Sequence, residues 1–108
     1  MKSREFKRAK RRVLVSHIPL WGNGDKYQPS SELWTPLFKD SSFDVGLSGH
    51  THHFRYHPTN DASNPFPICI GGSPDESSAT MMVLSKENGQ FSLRVYNVKG
   101  EELGGWSL

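Results

Sequence analysis

Short apolar runs, each ended within a few residues by glycine, proline or asparagine, constrain the fold of this chain most. They predict strands at residues 13–16, 43–48, 66–70, 80–85 and 91–97, with further runs at 53–57 and 102–106. The β-branched and aromatic residues in these runs favour extended backbone, and each run is shorter than an ordinary helix. The chain is therefore predicted to be mostly β.

Two local signals refine this prediction. Asn88-Gly89 separates two of the runs, and Asn-Gly is the strongest short-range signal for a β-hairpin. Residues 32–39 follow two serines and place leucine and aromatic side chains four apart, a pattern typical of a capped helix that Pro36 shortens or kinks. The predicted class is α+β, with a mostly antiparallel or mixed β-sheet and one or two helices.

Length and composition restrict the classes of protein. A chain of 108 residues with 11% aromatic residues suits one small folded domain. No apolar run approaches the roughly 20 residues that span a bilayer, so no membrane association is expected. Cys69 is the only cysteine, which excludes an intrachain disulfide, and its apolar neighbours favour a buried, inert thiol.

Charge divides the chain into a basic leader, residues 1–12, and a domain, residues 13–108. The leader carries seven basic side chains and one acidic one, whereas the domain carries six basic and ten acidic side chains. Such a leader can attract a nucleic acid or can be a solvated helix or frayed segment. We prefer the second interpretation because Phe6 is the only aromatic residue available to stack on a base. Nucleic acid is therefore not an expected partner.

Three histidines stand at the ends of predicted strands. His17 follows the run 13–16, and His50 and His52 follow the run 43–48. Functional side chains collect at strand ends in open α/β sheets, and imidazole is a common ligand of transition metals. The spacing alone is also compatible with a His-x-His pair that has arisen by chance. A third histidine after another buried strand favours a metal site.

The residues from Val13 to Leu20, followed by those from Phe43 to His52, resemble the last two conserved blocks of calcineurin-like metallophosphoesterases. Those blocks are an apolar strand that ends in a single histidine, and a Gly-His-x-His motif. The family binds two metal ions and hydrolyses phosphoesters. The resemblance implies the C-terminal half of its α/β/β/α sandwich and two divalent or trivalent transition metals, such as iron, manganese, zinc or nickel. By motif position, His17 and His50 would bind one metal and His52 the other.

The chain departs from the family in its early motifs. It has no Asp-x-His, no Gly-Asp ahead of His17, and no Gly-Asn-His block. We therefore expect a C-terminal part of a phosphoester hydrolase whose N-terminal half is the partner that completes the site. The isolated chain is expected to be inactive. The alternative is a non-catalytic binding or structural module with a weak or vestigial metal site.

Three other side chains are candidates for binding the phosphoester substrate. Trp21 lies close to His17 in sequence, and His57 could reach a substrate pocket. Arg55 could bind phosphate through two parallel N–H groups, or could lie on a solvated strand face.

Overall fold

The computed structural model describes residues 3–21, 34, 36–38, 42–60 and 64–108. The elements in chain order are helix α1 (Arg4–Arg8) and strands β1 (Val13–Val15), β2 (Val45–Ser48), β3 (Arg55–His57), β4 (Ile68–Ile70), β5 (Thr80–Glu87), β6 (Gln90–Asn97) and β7 (Glu102–Ser107). Residues 34 and 36–38 are also helical, and the other positions of the predicted helix over 32–39 lie outside the described residues. The fold is α+β, as predicted.

The first sheet has the strand order β1-β2-β4-β3. Strands β1, β2 and β4 run parallel, with Leu14 opposite Gly46 and Gly46 opposite Ile68. Strand β3 pairs antiparallel with β4, which places Arg55 opposite Ile70. Because parallel strands end at the same edge, the residues after β1, β2 and β4 are brought together there.

Each face of the first sheet is covered differently, because successive side chains along a strand point to opposite faces. Ile68 and Ile70 belong to a cluster with Trp21, Phe38 and Phe66 on one face. The residue between them, Cys69, is fully buried in a second cluster on the other face. That second cluster also contains Val45, Leu93 and Val95.

The second sheet, β5-β6-β7, is antiparallel and supplies the other half of the second cluster. Its first turn is the predicted hairpin, with Asn88 at φ 52° and Gly89 at φ 79°, the left-handed conformations that a type I′ turn requires. Tyr56 of the first sheet stacks on Trp106 of the second, with ring centroids 3.8 Å apart and an interplanar angle of 8°. This stack joins the two layers.

Asp44 ties the start of β1 to the residues before β2. Its Oδ2 accepts a hydrogen bond of 2.8 Å from the backbone N–H of Arg12, and its Oδ1 forms an ion pair of 2.8 Å with Arg11. The division into a leader, 1–12, and a domain, 13–108, stays a prediction. Within the described ranges, no helix is long and apolar enough to cross a membrane.

Candidate metal centre

Two of the three predicted metal ligands meet at the edge where the parallel strands end. His17 lies two residues beyond β1, and His50 lies two residues beyond β2. The backbone N–H of Gly49 donates a hydrogen bond of 3.1 Å to the carbonyl of His17, so the two connecting segments stay in register after the strands have ended. The pairing of β1 with β2 therefore brings the two imidazoles together.

The two rings are in direct contact. Nδ1 of His50 lies 3.2 Å from Nε2 of His17, and the ring planes cross at 81° with centroids 5.0 Å apart. One nitrogen can donate to the other when the tautomers are complementary. The same separation suits two ligands of one metal ion, because nitrogens bound at about 2.05 Å in a tetrahedral site are about 3.3 Å apart.

His50 and His52 both have left-handed backbone. Their φ angles are 69° and 63°, and the other described non-glycine residue with positive φ is Asn88 in the hairpin turn. Gly49 accepts from the N–H of Thr51 at 2.8 Å, so the chain reverses tightly through this segment. Left-handed backbone costs an ordinary residue about 1–2 kcal/mol, and such strain gathers at functional sites.

The third predicted ligand, His52, does not join the pair. It is exposed and makes no hydrogen bond or ion pair with another described residue. Across the described ranges, no group of three or more His, Cys, Asp or Glu side chains is placed to hold a metal ion. The structure thus assembles a two-histidine corner, with His52 beside it on the surface.

The three predicted substrate-binding residues lie in three different environments. Trp21 is 6% exposed and packs edge-on against Phe66, with centroids 5.4 Å apart, so its ring is part of the core. Arg55 is exposed at the edge of the sheet where the histidines lie, at the start of β3. His57 is at the far end of β3, and its Nε2 is buried without a hydrogen-bond partner among the described residues. Their proposed contacts with substrate stay predictions.

One feature of this edge, the Ser48 hydroxyl, escaped the sequence analysis. The Oγ of Ser48, at the end of β2, is buried and has no hydrogen-bond partner in the described part of the chain. Next to it, the N–H of Gly71 donates 2.7 Å to the Ser48 carbonyl, which joins the segment after β4 to the end of β2. A Cβ at Gly72 would overlap the carbonyl of Ser78, so glycine is needed at position 72 for this close backbone approach.

Among the described titratable groups, the largest pKa shift belongs to a residue of the second cluster. Burial raises the pKa of the Cys69 thiol to about 12. Burial first, and the neighbouring Cys69 second, also raise the pKa of Tyr56. Both groups therefore stay protonated at neutral pH, and the prediction of an inert thiol is consistent with its complete burial.

Two solved structures of Vps29 from Entamoeba histolytica resemble the chain. A double-mutant form has a TM-score of 0.47 and 17% identity, with coverage of 79% of this chain and 48% of that one. The wild-type protein in complex with zinc has a TM-score of 0.42 and 17% identity, with coverage of 79% and 47%. The chain spans about half the length of these proteins. Neither the models of known protein families nor the curated proteins contain a match.

Proposed function

We propose that this chain supplies the histidine side of a metal-dependent phosphoester hydrolase of the calcineurin-like type. The contact between His17 and His50 is the observation that carries the proposal. The two side chains come from neighbouring parallel strands and are separated by 33 residues in sequence. Their nitrogen separation of 3.2 Å is close to the value expected for two ligands of one ion.

The backbone around the Gly-His-x-His motif supports the same proposal. Two histidines in left-handed conformation cost stability, and a fold without a use for them would gain by replacing either with glycine or asparagine. The resemblance assigns His52 to a second ion.

The number and charge of the metal ligands in this chain limit the metal binding that it can achieve alone. Three imidazoles are too few to fill the coordination of two metal ions, and being neutral they leave the charge of the ions unbalanced, so further ligands such as carboxylates are needed to complete the site. The sequence lacks the early acidic motifs of the family, and we propose that an N-terminal half of the same enzyme provides them. A completed pair of metal ions would supply Lewis-acid polarisation of the phosphoryl group. Here His17 and His50 would fix the position of one ion.

A metal titration tests the half-site. Zinc or manganese is added to the purified chain while the histidine ring signals are followed by NMR. We expect the His17 and His50 signals to change together at one stoichiometry, by shifting with zinc and broadening with manganese, and His50→Ala to abolish the response of His17. His53→Ala is the matched control, because His53 is an exposed neighbour outside the pair. No response at about 1 mM metal would contradict the proposal and favour a non-catalytic module.

Activity is tested separately. We expect no turnover of a nitrophenyl phosphate by the metal-loaded chain, because the carboxylate ligands are missing from its sequence. Turnover that His50→Ala abolishes would show that the chain completes a catalytic site by itself, and the partner half would then be unnecessary.

A further inference from the structure

Helix α1 is held rigidly on the domain although it is only five residues long. The ring of Phe6 contacts Phe43 at 5.7 Å, and the guanidinium of Arg12 lies 4.7 Å above the Phe6 ring. The same guanidinium donates to the carbonyls of Phe6 at 2.9 Å and Lys7 at 3.2 Å, and to Oγ of Ser42 at 2.8 Å. A side chain with five donors is thus used to fix the end of the helix.

The anchored face and the charged face of α1 are opposite. At 3.6 residues per turn, Arg4, Lys7 and Arg8 span an arc of about 100° whose centre lies about 150° from Phe6. All three are exposed, whereas Phe6 is half-buried. Ser3 caps the helix by accepting from the N–H of Phe6 at 3.1 Å, which fixes its first turn. The cations therefore point away from the domain at set positions.

The charge on this surface is not neutralised by the described part of the chain. Arg4, Lys7, Arg8 and Lys10 form no ion pair with a described residue, and Glu5 is the only acidic residue of the leader. Arg11 is different, because it is paired with Asp44 at 2.8 Å. We define the basic surface as Arg4, Lys7, Arg8 and Lys10.

We propose that the basic surface docks an acidic segment of a protein partner. Carboxylates one helical turn apart, or on alternate residues of an extended chain, match cations fixed at a similar spacing. A single-stranded nucleic acid would need an aromatic platform, but the Phe6 ring is engaged with Phe43 and Arg12. A membrane surface would need exposed apolar side chains on the helix, and α1 presents none among its described residues.

Binding of a synthetic peptide with glutamate at every fourth position tests this docking site. The assay contains no added metal, so the histidine pair is not involved. Fluorescence anisotropy at low and at physiological ionic strength gives the Kd. We expect the triple variant Arg4→Glu, Lys7→Glu, Arg8→Glu to weaken binding about tenfold, since three exposed ion pairs each contribute about a factor of two. The control variant Lys86→Glu, Arg94→Glu, Lys99→Glu makes the same change in net charge on β5, on β6 and in the turn after β6, removes the exposed Arg94–Glu102 ion pair of 3.7 Å, and should leave the Kd nearly unchanged.

A second variant tests the fixed position of the cations. Phe6→Ala keeps every charge but removes the contact with Phe43, and we expect it to weaken peptide binding several-fold. Equal losses in the two triple variants would mean that net charge alone attracts the peptide, and would overturn the proposal. Tighter binding to duplex DNA or to phosphatidylserine vesicles than to the peptide would also overturn it, in favour of a nucleic acid or a membrane.

Discussion

Replacing His52 with glycine should make the metal-free protein more stable. His52 has φ 63°, which costs an L-residue about 1–2 kcal/mol and costs glycine almost nothing. Glycine also makes the unfolded chain more flexible, which costs about 0.5–1 kcal/mol. The exposed imidazole makes no hydrogen bond or ion pair with a described residue, so little else is lost. The expected net gain is about 0.5–1 kcal/mol.

His53→Gly is the matched comparison. His53 is also an exposed histidine, but its φ is not positive, so glycine there brings only the cost in the unfolded state. The difference between the two variants then equals the backbone strain, about 1–2 kcal/mol, because the flexibility term cancels. In urea unfolding with a chelator present, each substitution should shift the midpoint at constant slope. If His52→Gly is no more stable than His53→Gly, the strain argument is wrong.

Three further outcomes follow from contacts in the core and at the start of β1. Folding raises the pKa of Cys69 from about 9 to about 12. The free energy of unfolding should therefore be constant below pH 9 with respect to this group, and should fall by up to about 1.4 kcal/mol per pH unit above it. This dependence on pH should be absent from Cys69→Ala. In Gly104→Ala, the new Cβ would overlap the Trp106 ring, so the stack on Tyr56 should break and near-ultraviolet circular dichroism should lose signal, whereas an unchanged spectrum would contradict the overlap. Asp44→Ala leaves one backbone amide and one guanidinium without their acceptor and should cost about 1–3 kcal/mol in thermal or urea unfolding.

The sequence predicts most strands because their signals are local. The Asn88-Gly89 turn and the alternation that follows it are enough to define the hairpin of β5 and β6. The run 66–70 becomes a strand only from Ile68, because Pro67 has no N–H to donate to a neighbouring strand, although its carbonyl accepts 2.9 Å from Gly46. Boundaries thus depend on single backbone groups that an apolar pattern does not reveal.

The candidate site is predicted only in part because it depends on strand order. His17 and His50 meet because β1 lies directly beside β2, and no local pattern specifies that neighbour. The separation of His52 from the pair follows from the tight turn between Gly49 and Thr51, in which His50 itself is left-handed. The role of Arg12 is also not evident from the sequence. It belongs to a run of basic residues, but its guanidinium donates to the Phe6 carbonyl and holds α1 in place.

Because β1 is paired only with β2 among the described strands, a metal bound by the histidine pair should change how easily β1 separates from the sheet. Strand β1 is three residues long, lies at an edge of the described sheet, and leaves the Val15 side chain 74% exposed, so it should open more readily than the interior strands β2 and β4. An ion bound by both His17 and His50 would join the two strands at their ends. By mass action it would add about 2.7 kcal/mol at a concentration of 100 times its Kd. Metal should therefore slow hydrogen exchange at the Ser16 amide, which donates 3.0 Å to Leu47. Amides that exchange through local openings which leave the histidine pair intact should not be slowed.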